Sequence, residues 1–295
     1  MAAILIGYDV ESAAVGEGLA RILGPNTPEY RSALEPETTR MGLEVISRLH
    51  ADLEAPGTLF TCGRTLLHSL EPLHAAVDSG LLDVQQHTYS HVVFRDVSFA
   101  AENGGVLRLP ESSPTVLREE LGFSSELVRK YFGDPCVGLR TPFGYYRGLR
   151  NRPDLLGLIA EAGLQYVSSW GRNAENDNPG PLEVQPFRYS DEGFDDLLEI
   201  PFQFWLDAIW FDRNGYGSGL AFGEALRGAI DEAAERDAVY GACFHDWVVV
   251  AADEARTGWI RGAIEYARAR GVEVLSYTEY WRRGGPEWTR TSPAV

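Results

Sequence analysis

The feature that most constrains the fold of this chain is an alternation of short apolar runs with longer amphipathic stretches. The short runs predict buried β-strands at residues 3–8, 57–61, 82–86, 136–139, 165–167, 197–200, 239–244 and 272–275. Apolar residues at three- and four-residue intervals predict helices at residues 38–54, 64–79, 113–131, 152–162, 222–235 and 254–270. Alternation of this kind favours a parallel sheet that is closed, or nearly closed, into a barrel.

Length and composition favour a single domain. A chain of 295 residues is within the range of one α/β barrel, and no Ser/Gly linker, low-complexity tract or internal repeat divides it. Segments 14–36, 98–114 and 171–193 are rich in Gly, Pro, Asn and acidic residues, which predicts long loops. We therefore predict one α/β domain over residues 1–295, a barrel with long loops.

Charge and cysteine content limit the partners and the compartment. The formal net charge of −17 opposes binding to nucleic acid, and no local basic patch offsets it. The N-terminus is predicted to be the first strand rather than a signal peptide, and no membrane span is visible. Cys62, Cys136 and Cys243 lack CxxC spacing, which fits a reducing compartment. We expect a cytoplasmic protein with no nucleic-acid or membrane partner.

Two histidines and two acids follow predicted strands. His87 and His91 lie four positions apart after the third strand, and both imidazoles can face one ion if the segment turns helically. Asp9 and Glu11 end the first strand, at the same expected edge of the sheet. Two histidines and one carboxylate form an open catalytic zinc set, and the second carboxylate is then available as a base. Separately, each of these residues could instead be a surface, cap or loop residue.

Two more predicted strand ends carry basic side chains. Arg140 precedes a proline and a glycine and is expected to point toward the barrel mouth, where it either lowers the pKa of a nearby carboxylate or forms a surface ion pair. His245 could protonate a leaving amine, with a neighbouring acid holding its tautomer, or could be a buried core histidine. No Gly-rich phosphate loop and no GxSxG elbow are present.

Aromatic side chains form a further candidate group. Trp170 ends a predicted strand, and the run 204–211 contains Trp205 and Trp210. Aromatic faces suit sugars and planar ligands, so these residues could line a substrate pocket. The alternatives are core packing and, for the run 204–211, the interface of a homo-oligomer.

These motifs resemble the polysaccharide deacetylase family, also called carbohydrate esterase family four or NodB-like, over most of the chain. The segment His-Thr-Tyr-Ser-His at 87–91 is similar to the family's metal-binding motif. Residues 57–63 are similar to its second strand and residues 140–142 to its arginine motif. Trp170 and His245 fall where the family keeps its pocket tryptophan and its catalytic histidine.

The resemblance implies a distorted (β/α)7-type barrel in which water activated on a divalent metal attacks an N-acetyl carbonyl. It implies Asp9 as base, Arg140 as the group that tunes Asp9, and His245 as proton donor. The implied metal ligands are Glu11, His87 and His91. Ligand type favours Zn²⁺, with Co²⁺, Ni²⁺ and Mn²⁺ as alternatives. The predicted substrate-binding residues are Tyr89, Pro142, Phe143, Trp170, Trp205 and Trp210.

One departure from the family pattern keeps several functions open. The family usually has two adjacent aspartates, whereas Val10 separates Asp9 from Glu11, so either acid could be the metal ligand. A subgroup with a spaced acidic pair, and with a stretch similar to residues 199–207, includes intracellular peptidoglycan-deacetylase-like proteins and cyclic imide hydrolases. We therefore expect an N-deacetylase acting on a small or oligomeric N-acetylated sugar or a sugar-containing metabolite. The alternatives are a hydrolase of cyclic imides or other non-peptide amides, and a catalytically degenerate, metal-free barrel that binds a ligand.

Overall fold

Strands and helices alternate along the chain in the computed structural model, which describes residues 1–12, 36–100, 106–133 and 135–287. The strands are β1 (Ala3–Val10), β2 (Gly57–Thr61), β3 (Leu82–Gln86), β4 (Val97–Ala100), β5 (Val106–Leu109), β6 (Gly138–Tyr146), β7 (Tyr166–Arg172), β8 (Phe187–Tyr189), β9 (Phe194–Glu199), β10 (Val239–His245) and β11 (Glu273–Ser276). The helices are α1 (Pro36–Leu53), α2 (Gly63–His68), α3 (Leu70–Val77), α4 (Pro114–Phe132), α5 (Pro153–Glu161), α6 (Asp207–Asn214), α7 (Gly219–Arg236), α8 (Asp246–Ala251), α9 (Glu254–Thr257), α10 (Trp259–Ala269) and α11 (Tyr277–Arg282).

The main sheet is built from parallel strands in the order β10, β1, β2, β3, β6, β7, β9. β8 adds to β9 in the antiparallel direction. β11 pairs with the first half of β1, at residues 3–6, whereas β2 pairs with the second half, at residues 7–10. This shared edge distorts the barrel, and the predicted α/β fold around a parallel, barrel-like sheet is confirmed.

Glutamine side chains bridge two weakly paired seams of this sheet. Beyond β9, the backbone N–H of Gln203 donates to the Gly241 carbonyl (2.9 Å). The backbone N–H of Gly241 in turn donates to the Gln203 side chain at Oε1 (2.6 Å). Between β3 and β6, Gln85 Oε1 accepts from the N–H groups of Val137 (2.9 Å) and Gly138 (2.7 Å). Buried backbone donors need partners, and these side-chain amides supply them where the strand ladder is incomplete.

A glycine in β1 leaves room for two large side chains inside the barrel, beneath the carboxyl edge of the sheet. A Cβ at Gly7 would lie 2.8 Å from the Tyr277 ring and 3.0 Å from Arg140 Nη2. Only glycine therefore allows these two side chains to approach the strand this closely. Both lie just below Asp9, two residues further along β1.

The longer helices pack against the sheet through one face. α4 begins at the N-cap Ser113, whose Oγ accepts from the Val116 N–H, and ends before Gly133, which has a left-handed φ of 78°. Its buried residues are Leu117, Leu121, Ser124 and Val128. In the parts of the chain described, no helix combines the length and the apolar composition needed to cross a bilayer.

Several segments predicted as one helix or one loop are divided into shorter elements in the structure. The predicted helix 64–79 is divided at Ser69 into α2 and α3, and the predicted helix 254–270 is divided at Gly258, which has a φ of 62°. The predicted loop 98–114 contains part of the antiparallel pair β4–β5, and the predicted loop 171–193 contains β8. Backbone pairing to a neighbour orders these short runs despite their loop-like composition. In the predicted loop 14–36, only Pro36 lies within the described residues, and it begins α1.

Candidate metal centre

The ionisable strand-end residues meet at the carboxyl edge of the parallel sheet. Asp9 pairs in register with His245 across β1 and β10. His87 directly follows β3, and Arg140 lies in β6, the next strand of the sheet. Parallel strands bring their carboxyl ends to one edge, which is why residues far apart in sequence become neighbours here.

Glu11, His87 and His91 converge most closely. Glu11 Oε2 lies 2.9 Å from His91 Nε2 and 3.2 Å from His87 Nε2. Burial opposes ionisation of Glu11, but the charges and hydrogen bonds of the imidazoles outweigh it and hold the pKa of the carboxyl well below its usual value. The carboxyl is therefore anionic at neutral pH, with two imidazole nitrogens directed at it.

The donor set fits a divalent cation. His87 Nδ1 donates to the Arg140 carbonyl oxygen (2.8 Å), so its Nε2 lone pair faces Glu11. A lone pair and a carboxylate in this position need a proton or a cation between them. In a tetrahedral zinc site with bonds of about 2.0–2.1 Å, neighbouring ligand atoms are roughly 3.3 Å apart, close to the spacing observed. These three residues can therefore hold one ion with an open position.

The segment that carries the two histidines is not helical, so the imidazoles converge without the helical turn considered from their spacing. Thr88 and His91 have left-handed φ values of 61°. The Gly63 N–H donates to the Thr88 carbonyl (2.9 Å), and the Ser90 N–H donates to Glu120 (2.7 Å). Neighbouring helices bind the backbone groups that a helical turn would pair internally. The imidazoles nevertheless converge, with ring centroids 5.0 Å apart.

Asp9 lies beside this centre but farther from the histidines than Glu11 does. Its Oδ2 is 3.8 Å from His87 Nε2, and its Oδ1 is 3.9 Å from Arg140 Nε. The Cys243 thiol donates to Asp9 Oδ2 at 3.5 Å. The geometry therefore favours Glu11 over Asp9 as the carboxylate nearest to an ion between the histidines.

Arg140 was predicted to point toward the barrel mouth, and this is wrong. Its side chain is fully buried, with the guanidinium carbon 4.7 Å from the Phe60 ring, 4.4 Å from Phe202 and 4.8 Å from Tyr277. Aromatic faces inside the barrel attract the cation and direct it inward. Burial alone would lower the pKa of Arg140, but nearby groups, including Asp9, raise it above its usual value. Arg140 thus places a permanent positive charge near Asp9 from below.

His245 is held by an acid that is distant in sequence. Its Nδ1 donates to Asp207 Oδ1 (2.5 Å), and its backbone N–H donates to Asp207 Oδ2 (2.8 Å). Its Nε2 therefore faces the centre, 3.9 Å from Glu11 Oε1. Burial alone would lower the pKa of His245, but Asp207, with smaller contributions from Glu11 and Asp9, raises it to about 10. The imidazole is thus kept protonated around neutral pH.

The acid next to His245 in sequence has another role. Asp246 accepts from Ser12 Oγ (2.7 Å) and from the Glu11 N–H (3.4 Å), so it holds the end of β1. Burial raises the pKa of Asp246 to about 6. The sequence indicated a neighbouring acid for His245, and the structure shows that Asp207, rather than the adjacent Asp246, contacts the ring.

Sequence reasoning assigned no role to two buried acids in the stretch 199–207. Asp207 fixes His245, and Glu199 accepts from the N–H groups of Ser169 and Trp170 (both 2.8 Å) and from Ser169 Oγ (2.6 Å). Glu199 thereby holds the end of β7, where Trp170 lies. The signal available in the sequence was the presence of two carboxylates in a run that is otherwise apolar except for Gln203.

The predicted substrate-binding residues fall in different places. The Phe143 ring lies 4.9 Å from the His91 ring, beside the buried Pro142, and borders the centre. The Trp170 ring packs on Tyr146 (6.1 Å) and Phe187 (6.2 Å). Phe143 is thus the predicted aromatic residue that directly contacts a metal-centre histidine.

Trp205 and Trp210 pack together, with ring centroids 5.6 Å apart, around the start of α6. Asp207 and Trp210 both belong to that helix, so the indole pair lies at the element that holds His245. Tyr89 instead faces α4, where its ring lies 6.3 Å from Phe123. The roles of all six residues in substrate binding remain predictions.

We expect Asp207→Asn to weaken proton transfer by His245 and to move its titration. Loss of the carboxylate charge lowers the pKa of His245, so the protonated ring is lost at a lower pH and the alkaline limb of the pH–rate profile moves down. The rate should fall within the roughly 10²- to 10⁴-fold that a positioned acid contributes. Asp212→Asn, an exposed acid on the same helix, is the matched control. An unchanged alkaline limb in Asp207→Asn would contradict this role.

Part of the chain is similar in sequence to a known family. Residues 41–167 match the family model described as polysaccharide deacetylase. This segment contains His87, His91 and Arg140, whereas Asp9, Glu11 and His245 lie outside it. No curated protein gives a significant match to the chain.

Solved structures extend the likeness over the whole chain. A Mycobacterium smegmatis protein named as a polysaccharide deacetylase has a TM-score of 0.69 at 17% identity, covering 99% of this chain and 92% of that one. PuuE allantoinase has a TM-score of 0.68 at 17% identity with the same coverages. A probable polysaccharide deacetylase from Pseudomonas aeruginosa has a TM-score of 0.68 at 18% identity, again covering 99% and 92%. At these identities, the likeness shows a shared fold.

Proposed function

We propose that this chain, whose residues 41–167 match the polysaccharide deacetylase family model, is a metal-dependent hydrolase of amide-type C–N bonds. The observation that carries the proposal is the convergence of Glu11 Oε2 with His87 Nε2 at 3.2 Å and His91 Nε2 at 2.9 Å. Two imidazoles and one carboxylate leave an open position for water or substrate on a bound cation. Zinc is the proposed ion, because it favours this ligand set.

Glu11, His87 and His91 would hold the ion, which when bound would polarise the amide carbonyl and the attacking water. Asp9 accepts the proton from that water, since its carboxylate lies beside the cation ligands at 3.8 Å from His87 Nε2. The buried charge of Arg140, whose Nε lies 3.9 Å from Asp9 Oδ1, orients the Asp9 carboxylate from below.

His245 donates a proton to the leaving nitrogen. Its Nε2 faces the centre, and Asp207 fixes its other nitrogen and keeps the ring protonated. Asp9 and His245 therefore divide base and acid work between two strands that are paired in register.

The proposed substrate is a small or oligomeric N-acetylated sugar, or a metabolite containing one. The name of the matched domain and the ring of Phe143 beside His91 both support a sugar bearing an acetamido group. Trp170, Trp205 and Trp210 are proposed to contribute aromatic faces farther from the ion.

A second candidate is hydrolysis of a cyclic imide or ureide. Its support is the spaced pair Asp9 and Glu11, together with a fold similar over 99% of the chain to an allantoinase, named for the cyclic ureide allantoin. The same centre can polarise a ring carbonyl, and His245 can protonate the ring nitrogen as it leaves. Such a reaction opens the ring and releases no acetate.

The deciding experiment is a substrate panel against zinc-reconstituted protein. Acetate release is measured on N-acetylglucosamine and its oligomers, and ring opening is measured in parallel on succinimide, hydantoin and allantoin. Acetate supports the first candidate and ring opening alone supports the second. Bound zinc with neither product would contradict both and favour a ligand-binding barrel without activity. Asp9→Asn protein serves as the background control.

A further inference from the structure

A second group of metal-ligand side chains adjoins the Glu11, His87 and His91 centre. It consists of Asp9 in β1 together with Cys243 and His245 in β10. One ligand atom from each lies within 4.8 Å of the other two, and all three side chains are buried. A carboxylate, a thiolate and an imidazole are ligands of zinc and related thiophilic cations.

The atoms of this group are oriented toward a common point. The bond from His245 Nδ1 to Asp207 leaves His245 Nε2 directed at the centre. Cys243 Sγ lies 3.5 Å from Asp9 Oδ2. Asp9 Oδ1 is buried and has no hydrogen-bond partner among the described residues, and Arg140 Nε lies 3.9 Å from it, beyond hydrogen-bond distance. A buried carboxylate oxygen without a partner is costly, and a nearby cation would compensate it.

Glu11 lies between the two groups. Its Oε2 faces His87 and His91, and its Oε1 is 3.9 Å from His245 Nε2. A carboxylate with one oxygen toward each group is placed to bridge two ions, as in two-metal sites with ions roughly 3.5–4 Å apart.

We propose that Asp9, Cys243 and His245 form a second cation site, selective for thiophilic divalent ions such as Zn²⁺ and Cd²⁺. Binding replaces the S–H bond of Cys243 with a sulfur–metal bond and the N–H bond at His245 Nε2 with a nitrogen–metal bond. Both protons leave to solvent, and no oxidation state changes. The positive charge of Arg140, 3.9 Å from Asp9, weakens this site for zinc relative to the first. An ion here occupies Asp9 and His245, so excess zinc inhibits the enzyme. This last consequence rests on the proposed hydrolase, whereas the binding itself does not.

Cadmium binding tests the site directly. Cd²⁺ is titrated into the chelator-treated full chain, and bound metal is measured by equilibrium dialysis with the ultraviolet thiolate-to-cadmium charge-transfer band. We expect two ions and the band in wild type, and one ion without the band in Cys243→Ser or Cys243→Ala. Cys136→Ser is the matched control, because this buried thiol contacts the Gly138 carbonyl and is not part of either ligand group, so it should behave as wild type. A single cadmium ion in wild type, or a band that persists without Cys243, would overturn the proposal.

Two further arms separate this site from the proposed reaction. A His87→Ala, His91→Ala double variant should still bind one cadmium ion with the charge-transfer band, and loss of the band there contradicts an independent site. Raising the amount of zinc from one to two equivalents per chain should lower the wild-type hydrolysis rate by about 100-fold, because the second ion occupies both the base Asp9 and the acid His245. The rate of Cys243→Ser at two equivalents should stay close to its own rate at one, and equal inhibition would contradict the proposal. A wild type without hydrolase activity would defeat the proposed function and leave the cadmium result standing.

Discussion

Asp9→Asn is expected to retain one bound metal ion and to lower kcat by roughly 10²- to 10⁴-fold, the contribution of a positioned base. The carboxamide occupies the same space but accepts a proton poorly. Metal binding should persist, because Glu11 Oε2 approaches both histidines more closely than any Asp9 oxygen does. Metal content by elemental analysis and turnover by acetate release or ring opening are measured on the same preparation.

Glu11→Gln is the matched variant, since it neutralises the other acid of the same strand end. It should lose metal affinity, because the carboxylate charge between His87 and His91 is removed. If Asp9→Asn loses the ion while Glu11→Gln retains it, the two acids have the opposite roles. Thermal denaturation of both variants shows whether either one has a general folding defect.

The double variant His87→Ala, His91→Ala is expected to lose both metal and activity. Two of the three side chains directed at the proposed ion disappear, and Glu11 alone is left in a buried site. Metal content at the first site should fall from one ion to below about 0.1 ion per chain, and turnover should fall to background. The variants are compared in a Cys243→Ser background, so that the site proposed at Asp9, Cys243 and His245 does not take up the zinc.

A second pair of histidines provides the control for that experiment. His68 and His74 are exposed on α2 and α3, so His68→Ala, His74→Ala removes the same number of imidazoles from the surface. Metal content and activity should remain at wild-type levels. If the control loses the ion as well, or if the His87 and His91 variant keeps both ion and activity, the ligand assignment fails.

Much of the fold could be predicted because the buried strands appear in the sequence as short apolar runs. β2 and β3 have the predicted bounds, and the first strand is buried along its whole length. The rule that parallel strands end at one edge then brought Asp9, His87 and His245 to the same place. Strand periodicity and one topological rule were therefore enough to locate the candidate centre.

Other features depend on tertiary contacts that periodicity does not encode. Asp207 lies far from His245 in sequence, and only the position of α6 beside β10 brings them together. Arg140 turns inward because Phe60, Phe202 and Tyr277 come from three separate elements that surround it. Neither an aromatic enclosure nor a distant hydrogen-bond partner leaves a short-range signature.

The most direct measurement of the central claim is an anomalous difference map at the zinc absorption edge, from crystals of protein reconstituted with one equivalent of zinc. We expect one peak bonded to His87 Nε2, His91 Nε2 and a Glu11 oxygen, at about 2.0–2.2 Å from each, with a further position open to solvent. A map without a peak between these side chains, or a zinc ion held by other residues with His87 and His91 turned apart, would contradict the account.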